Sequence, residues 1–332
     1  MMRANLWLRT PSRVLVRVAR FPATAFYELE KRAKKVEWER FLAAGAAAEF
    51  RVTARKSKLY HSDAIAERLL KVVRSHGRSS STRKPSVAPP QTGHSQLFVV
   101  RVVRDVVEVS ADTSGDLLHM RGYRQAVAKA PLRETLAAAL LLATGWNGGE
   151  ALLDPFCGSG TIPIEGALIA RGLPPGFGRS YSFERWKEFD ATVWQALRRD
   201  ASRGASASAP VSLWGSDRDA GAVQSASENA ERAGVASDVT FEQKALSAVE
   251  PATEVGLVAT NPPYGKRVGA RTDVRDLYAQ FGKVLRAKCR GWRIALYCPD
   301  ERLVKQTGLP LETLFATSNG GIRVLALGGQ VP

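Results

Sequence analysis

The polar and apolar positions of this chain follow two different rules along its length. Over 13–20, Val14, Val16 and Val18 alternate with Leu15, Arg17 and Ala19, a period of two that predicts a strand with one charged face. Over 25–41, Phe26, Leu29, Ala33, Val36 and Phe41 fall near helical spacing, opposite Lys31, Arg32, Lys34 and Lys35. Residues 50–54 predict a second strand. Ser62 or Asp63 can cap the next helix, which turns Ile65, Leu69, Leu70 and Val73 inward. Residues 97–103 and 105–109 read as further strands. Beyond Pro131 the rule changes. A helix over 133–144 buries Leu132, Leu136, Ala139 and Leu140, with Pro131 where a helix start tolerates it. Of the runs 151–153, 211–214, 239–241 and 255–258, the first and last are short and apolar throughout, the pattern of buried strands, and the other two read as two more strands of the same sheet. Helices are expected after the first two runs and over 184–199 and 274–285. The closing strands are expected over 292–298, 311–316 and 322–327.

The chemistry sits where those buried runs end. The first run stops at Asp154 and opens a turn with Gly158 and Gly160, followed by the helical pattern of Ile162, Ile164, Ala167, Leu168 and Ile169. A strand, a glycine turn and a helix form the entry of a nucleotide-type site at the carboxyl end of a parallel strand. The two glycines are expected to let the backbone approach a ligand where a Cβ would collide. No lysine follows the second glycine, so this is not a phosphate loop, and the spacing is not Gly-x-Gly-x-x-Gly. The acid before the turn suits a ligand with a cationic or amino-acid end, and S-adenosylmethionine has both. The second run ends in Gly215-Ser216-Asp217-Arg218-Asp219. Asp217 is placed to take both hydroxyls of a ribose, while Asp219 is expected to cap the next helix. The fourth run closes on Thr260-Asn261-Pro262-Pro263-Tyr264-Gly265.

Charge changes the picture of the first part of the chain. The protein has 332 residues, a net charge of +16 and a pI of about 10.1. Residues 1–84 hold 20 Lys and Arg against 7 Asp and Glu, so 20 − 7 = +13 of the +16 lies there. A basic module beside a nearly neutral one reads as a clamp for a polyanion. Arg55-Lys56-Ser57-Lys58-Leu59-Tyr60-His61, between a strand and a helix start, combines cations, a helix N-terminus and a ring that can stack on a base. The local sequence is equally that of a charged loop with Tyr60 in the core. Residues 75–95 are rich in Ser, Pro, Gly and Arg and read as a flexible loop. Cys157, Cys289 and Cys298 are widely spaced, giving neither a disulfide framework nor a metal pattern, and the four histidines form no ligand set. No run approaches the ~20 apolar residues of a membrane span.

Asp-Pro-Phe-Cys-Gly-Ser-Gly-Thr and Asn-Pro-Pro-Tyr, in this order and each after a strand-like run, resemble the cofactor and catalytic motifs of class I, Rossmann-like methyltransferases that modify exocyclic amines. Arg51–Leu69, Asn5-Leu-Trp-Leu-Arg-Thr, Arg121-Gly-Tyr-Arg and Ala130-Pro-Leu-Arg-Glu-Thr resemble more narrowly the THUMP-containing bacterial RNA guanine-N2 methyltransferases, on the ribosomal branch. The resemblance implies an α/β fold with a THUMP-like RNA-binding domain over 1–113 and a methyltransferase domain with a seven-stranded mixed sheet over 114–332. In that family a ferredoxin-like segment precedes the THUMP region, and this sequence is expected to lack most of it. S-adenosylmethionine is the implied cofactor, held by Asp154, Phe156, Gly158, Ser159, Gly160, Thr161, Asp217, Arg218, Gln243 and Asn261. Gln243-Lys244 stands where the family usually has an acid for the adenine amine. Asn261, Pro262, Pro263 and Tyr264 carry the catalysis. The Asn261 side-chain oxygen and the Pro262 carbonyl would accept the N–H bonds of the amine, and Tyr264 would stack on the base.

RNA is the implied partner, ribosomal RNA before transfer RNA. Arg51, Arg55, Lys56, Lys58, Lys266 and Arg267 would meet its phosphates. Arg121 and Arg124 either contact RNA or join the domains. No metal and no membrane is expected, and the cytoplasm is the implied location. The same fold also serves N6-adenine DNA and protein-glutamine methylation, and a third reading is an RNA-binding protein with a relict cofactor fold.

Overall fold

A computed structural model describes residues 1–43, 46–76, 95–125, 132–264 and 271–332. Most of the 75–95 segment, Lys266 and Arg267 lie outside them. The chain divides into two units whose sequences interleave. The first comprises Met1–Leu6, Ser12–Leu118 and Arg179–Leu197, the second Trp7–Pro11, His119–Gly178 and Arg198–Pro332. A single cut at 113/114 therefore does not describe the contacts.

The first unit contains α1 (Met2–Trp7), β1 (Leu15–Pro22), α2 (Phe26–Ala33), β2 (Ala48–Arg55), α3 (Ser62–His76), β3 (Gln96–Val103) and β4 (Val106–Asp112). Its sheet has the order β1-β4-β3-β2, with β2 parallel to β3 and the other pairs antiparallel. Strict alternation of exposure along β2 shows why its pattern reads so cleanly. The helix expected over 25–41 stops at Ala33, because the Trp38 indole N–H takes the Ala33 carbonyl and folds the chain back onto Phe50 and Phe98. Residues 179–197 join this unit through their aromatic side chains. Trp186 donates to Gln96 at 2.9 Å and meets Phe41 edge-on, and the Tyr181 hydroxyl donates to the Asn5 carbonyl. The helix expected over 184–199 is split. A 3₁₀ turn covers Ser182–Arg185, and Asp190 caps a separate helix, α6 (Ala191–Arg203), through the amides of Thr192 and Val193.

The second unit is built on α4 (Glu134–Ala143), β5 (Ala151–Asp154), α5 (Thr161–Ala170), β6 (Leu213–Asp217), α7 (Ala220–Ala233), β7 (Val239–Gln243), β8 (Gly256–Thr260), α8 (Arg271–Lys288), β9 (Arg293–Cys298), α9 (Glu301–Gln306), β10 (Leu311–Asn319) and β11 (Ile322–Gln330). The seven strands run in the order β10-β11-β9-β8-β5-β6-β7. The five from β7 to β9 are parallel, and β11 and β10 close the edge as an antiparallel pair. Each central strand faces two layers. Leu152, Leu257 and Ala259 pack with α4, α5 and α7, while Leu153 and Val258 pack with Tyr278, Phe281 and Leu285 of α8. Burial on both sides explains the unbroken apolar runs in β5 and β8. The strand order reverses between β5 and β8, which leaves a crevice at their carboxyl ends.

Candidate active site

β5 delivers the glycine turn and β8 delivers Asn261, so the two motifs emerge side by side at the crevice. Gly158 and Gly160 have φ of +51° and +81°, a region that favours glycine. Their reasons differ. A Cβ at Gly158 would meet no atom within 4 Å, so the space beside its Cα is open to a ligand. A Cβ on Gly160 would strike Phe241 at 2.8 Å and Ala226 at 2.9 Å, so internal packing by itself requires this glycine. The turn is fastened on three sides. The Cys157 amide donates to the Ser216 carbonyl at 3.0 Å, the Gly158 amide donates to Asp217 Oδ2 at 3.1 Å, and Asn229 donates to the Ser159 carbonyl at 3.0 Å. Thr161 begins α5 directly after this turn.

Asp217, at the end of β6, also accepts the Asp219 amide at 3.0 Å through Oδ1. Two backbone bonds thus aim the carboxylate and leave each oxygen a further lone pair. Asp219 caps α7 through the amides of Gly221 and Ala222. The Gln243 amide nitrogen is committed to the Arg218 carbonyl at 3.2 Å, so its oxygen is the group left for an amine; the Arg218 side chain itself is exposed. Phe156 lies against Phe281, with ring centroids 5.5 Å apart. Asp154 is buried, accepting from the Thr260 hydroxyl at 2.6 Å and the Phe156 amide at 3.1 Å. Burial pushes its carboxyl up to about 7, against the downward pull of those two bonds; the charge of Asp217 adds to the rise.

The Asn261 side-chain oxygen is buried and finds no hydrogen-bond partner. Leaving such an acceptor dry costs about 1–3 kcal/mol, which a donor from a ligand or an ordered water would offset. Pro262 and Pro263 hold the backbone extended at the residue before each of them, so the acceptor is fixed in direction. Tyr264 departs from expectation. Its ring is 3% exposed and packs in the core beside Tyr297, Val324 and Ala326, and its hydroxyl meets the Asn319 side-chain nitrogen at 3.4 Å. A ring held there offers no platform to a base, because the apolar surface behind β11 has claimed it.

Arg121 and Arg124 are not surface cations. Arg121 pairs with Glu165 at 3.4 Å, and Arg124 with Glu134 at 3.0 Å, all within the second unit. In the first unit Arg51, Arg55, Lys56 and Lys58 are exposed, and Tyr60 is 66% exposed against His61, which excludes a core role for its ring. Thr260, Asn229 and Ser216, whose buried hydroxyl also lacks a partner, were not singled out by the sequence. Only Thr260 had a readable signal, as the polar residue inside an apolar run directly before Asn261. Among the described residues no group of three or more His, Cys, Asp or Glu side chains is placed to hold a metal, and no helix is long and apolar enough to cross a membrane.

A family model described as "UPF0020: RMKL-like, methyltransferase domain" matches residues 121–312. The chain belongs to this methyltransferase family. Among curated relatives of this methyltransferase, "Putative RNA methyltransferase slr0064" of Synechocystis sp. is 33% identical over 321 residues, covering 96% of this chain and 83% of that one. "Ribosomal RNA large subunit methyltransferase K/L" of Syntrophotalea carbinolica is 38% identical over 331 residues, covering 96% of this chain and 46% of that one. This methyltransferase therefore spans about half the length of its K/L relatives.

Two solved structures superpose along nearly the whole chain. One, from Listeria monocytogenes and described as a "predicted N6-adenine-specific DNA methylase", gives a TM-score of 0.85 at 34% identity, covering 98% of this chain and 84% of that one. The other, SMU.472 in complex with S-adenosylhomocysteine, gives 0.84 at 28%, covering 100% and 87%. The second unit thus has the Rossmann-like, class I sheet, and the family depends on S-adenosylmethionine. The open space at Gly158, the aimed Asp217 carboxylate and the unpartnered Asn261 oxygen fit that cofactor beside an amine.

Proposed function

We propose that this chain methylates N2 of a guanosine in RNA, with large-subunit ribosomal RNA as the target. The observation that carries the reading is the buried, unpartnered Asn261 oxygen one strand away from the glycine turn. An exocyclic amine is a poor nucleophile, because its lone pair is spread into the ring. An acceptor for each N–H favours the pyramidal nitrogen whose lone pair is free. The Asn261 oxygen and the Pro262 carbonyl supply these acceptors on a stiffened loop, so positioning rather than a strong base accounts for most of the rate. When bound, S-adenosylmethionine supplies an electrophilic methyl group on a sulfonium. Asp217 would hold the sugar of that cofactor, and Gln243 its adenine amine in place of the family's acid. Gly158, Ser159, Gly160 and Thr161 would form the floor beneath it.

The first unit is read as a THUMP-like RNA-binding domain centred on residues 1–113. Its exposed Arg55, Lys56, Lys58 and Tyr60 suit a phosphate chain with a base stacked on the ring. Arg51, Lys266 and Arg267 belong to the same reading. The names of the K/L and slr0064 relatives support RNA as substrate, and the cytoplasm is the location proposed with it. A second reading, N6-adenine methylation of DNA, has the description of the Listeria structure in its favour. Tritium transfer from labelled S-adenosylmethionine into total RNA and into DNA, followed by nucleoside analysis, separates the two. N2-methylguanosine is the expected product. Methylated adenine or no label rejects the proposal.

A further inference from the structure

The bond between Thr260 and Asp154 joins the two halves of the site. Asp154 ends β5 and opens the glycine turn, and Thr260 ends β8 and is followed by Asn261. The β5–β8 register runs from Ala151 opposite Gly256 to Leu153 opposite Val258. Just past it the Thr260 hydroxyl donates to Asp154 Oδ1 at 2.6 Å, and both residues are buried. The same oxygen accepts the Phe156 amide at 3.1 Å. One carboxylate oxygen therefore anchors the first step of the cofactor turn and the last residue before the amine acceptor. Threonine is stiff at its first torsion, so the direction of its hydroxyl is fixed by the strand.

We propose that Thr260 is a positioning residue of the methyl-transfer reaction, tying the strand that carries Asn261 to the strand that opens the cofactor turn. The inference rests on the reading of Asn261 as the amine acceptor. Small errors in the distance between two reacting groups are expensive, and this buried bond extends the tie between β5 and β8 to the residue before Asn261. The bond also depends on the ionisation of Asp154. Burial raises that carboxyl most, the Thr260 hydroxyl and the Phe156 amide lower it, and Asp217 on β6 raises it further. The neighbouring Cys157 thiol is itself driven upward by burial and stays neutral. Loss of the Thr260 hydroxyl must move Asp154 further up.

The test uses the full chain as wild type, Thr260→Val, which keeps the shape, and Thr260→Ser, which keeps the hydroxyl. Binding of S-adenosylhomocysteine is measured by calorimetry from pH 6 to 9, and single-turnover methyl transfer over the same range at saturating cofactor. Thr260→Val is expected to slow transfer by about tenfold or more. Its binding and rate profiles should both move to higher pH, by roughly half a unit or more, because the carboxyl has lost a donor. Thr260→Ser should stay close to wild type in both. Unmoved profiles in Thr260→Val overturn the proposal, as does an equal loss in Thr260→Ser, which would mean that packing alone matters. If the valine variant does not fold, Thr260→Ala against Thr260→Ser makes the same comparison. A wild-type chain that binds S-adenosylhomocysteine but transfers no methyl overturns the Asn261 reading and this inference with it; normal transfer with unmoved variants overturns this inference alone.

Discussion

The carboxyl ends of β5 and β8 and the loop after β2 use polar residues in opposite ways. At these strand ends Asp154 and the Asn261 oxygen are buried, and Asp154 and, on the neighbouring β6, Asp217 are each held by at least two hydrogen bonds. In the loop, Arg55, Lys56 and Lys58 stand in solvent, and the backbone alone is fixed. The Asp105 carboxylate takes the Lys58 amide at 2.6 Å, and the Ser57 hydroxyl bonds both the Arg55 carbonyl and the Asp105 amide. The three non-glycine residues of positive φ, Lys56, Arg104 and Asp105, all belong to this knot among the described residues. Chemistry at one atom needs dry, aimed groups. A grip on a repeating phosphate chain needs charge on long side chains over a firm base.

The sharpest way to break the contrast is Asn261→Ala. It should lower the methyl-transfer rate by about 10²–10³ without lowering the melting temperature, since the lost oxygen has no protein partner and costs stability while dry. Stopped transfer assays and a melt check this; a large loss of stability would make Asn261 a structural residue. Asp217→Ala should weaken S-adenosylhomocysteine binding by about 10–100-fold, by removing the sugar acceptor and freeing the Gly158 amide.

The loop should behave differently. Lys56→Ala with Lys58→Ala should weaken RNA binding by roughly tenfold, and the slope of log affinity against log salt should fall by about 1.4, as for two lost phosphate contacts on single strands. Cofactor affinity should not change, and a change would break the separation of roles.

The smallest effect concerns Asp154 without cofactor. Its folded carboxyl lies at about 7, above an ordinary value of 3.8. Folding therefore favours the protonated form, and this group's contribution to stability is lost as pH rises from about 4 through 7. Asp154→Asn removes that dependence. The variant's advantage in melting temperature should grow from pH 5 to 8, reaching a few degrees, although it loses the charge that a cationic ligand would meet.

Much of this was legible because the buried runs and their terminal motifs obey local rules. Leu152 and Leu153 face opposite layers, so an apolar run without alternation marked β5 correctly, and Asp219 had the spacing of a cap. What escaped depends on neighbours distant in sequence. Nothing near Gly160 announces Phe241 as the reason for it, and nothing near Tyr264 announces the space behind β11. For Arg121 and Arg124 the sequence left RNA contact and domain joining equally open, because no local pattern shows that Glu165 and Glu134 take them. The amphipathic spacing over 184–199 was real, but its aromatic side had a partner near Gln96 that no local pattern could name.

The interleaving of the two units bears on how the molecule is made. Arg179–Leu197 belongs to the first unit, yet residues 119–178, which precede it in the chain, belong to the second. At ordinary translation speeds that gap corresponds to roughly 3–12 s during which the early sheet waits on the ribosome without its last aromatic segment. Nascent chains halted before residue 179 should accordingly be far more open to protease than chains halted once residue 197 has left the exit tunnel.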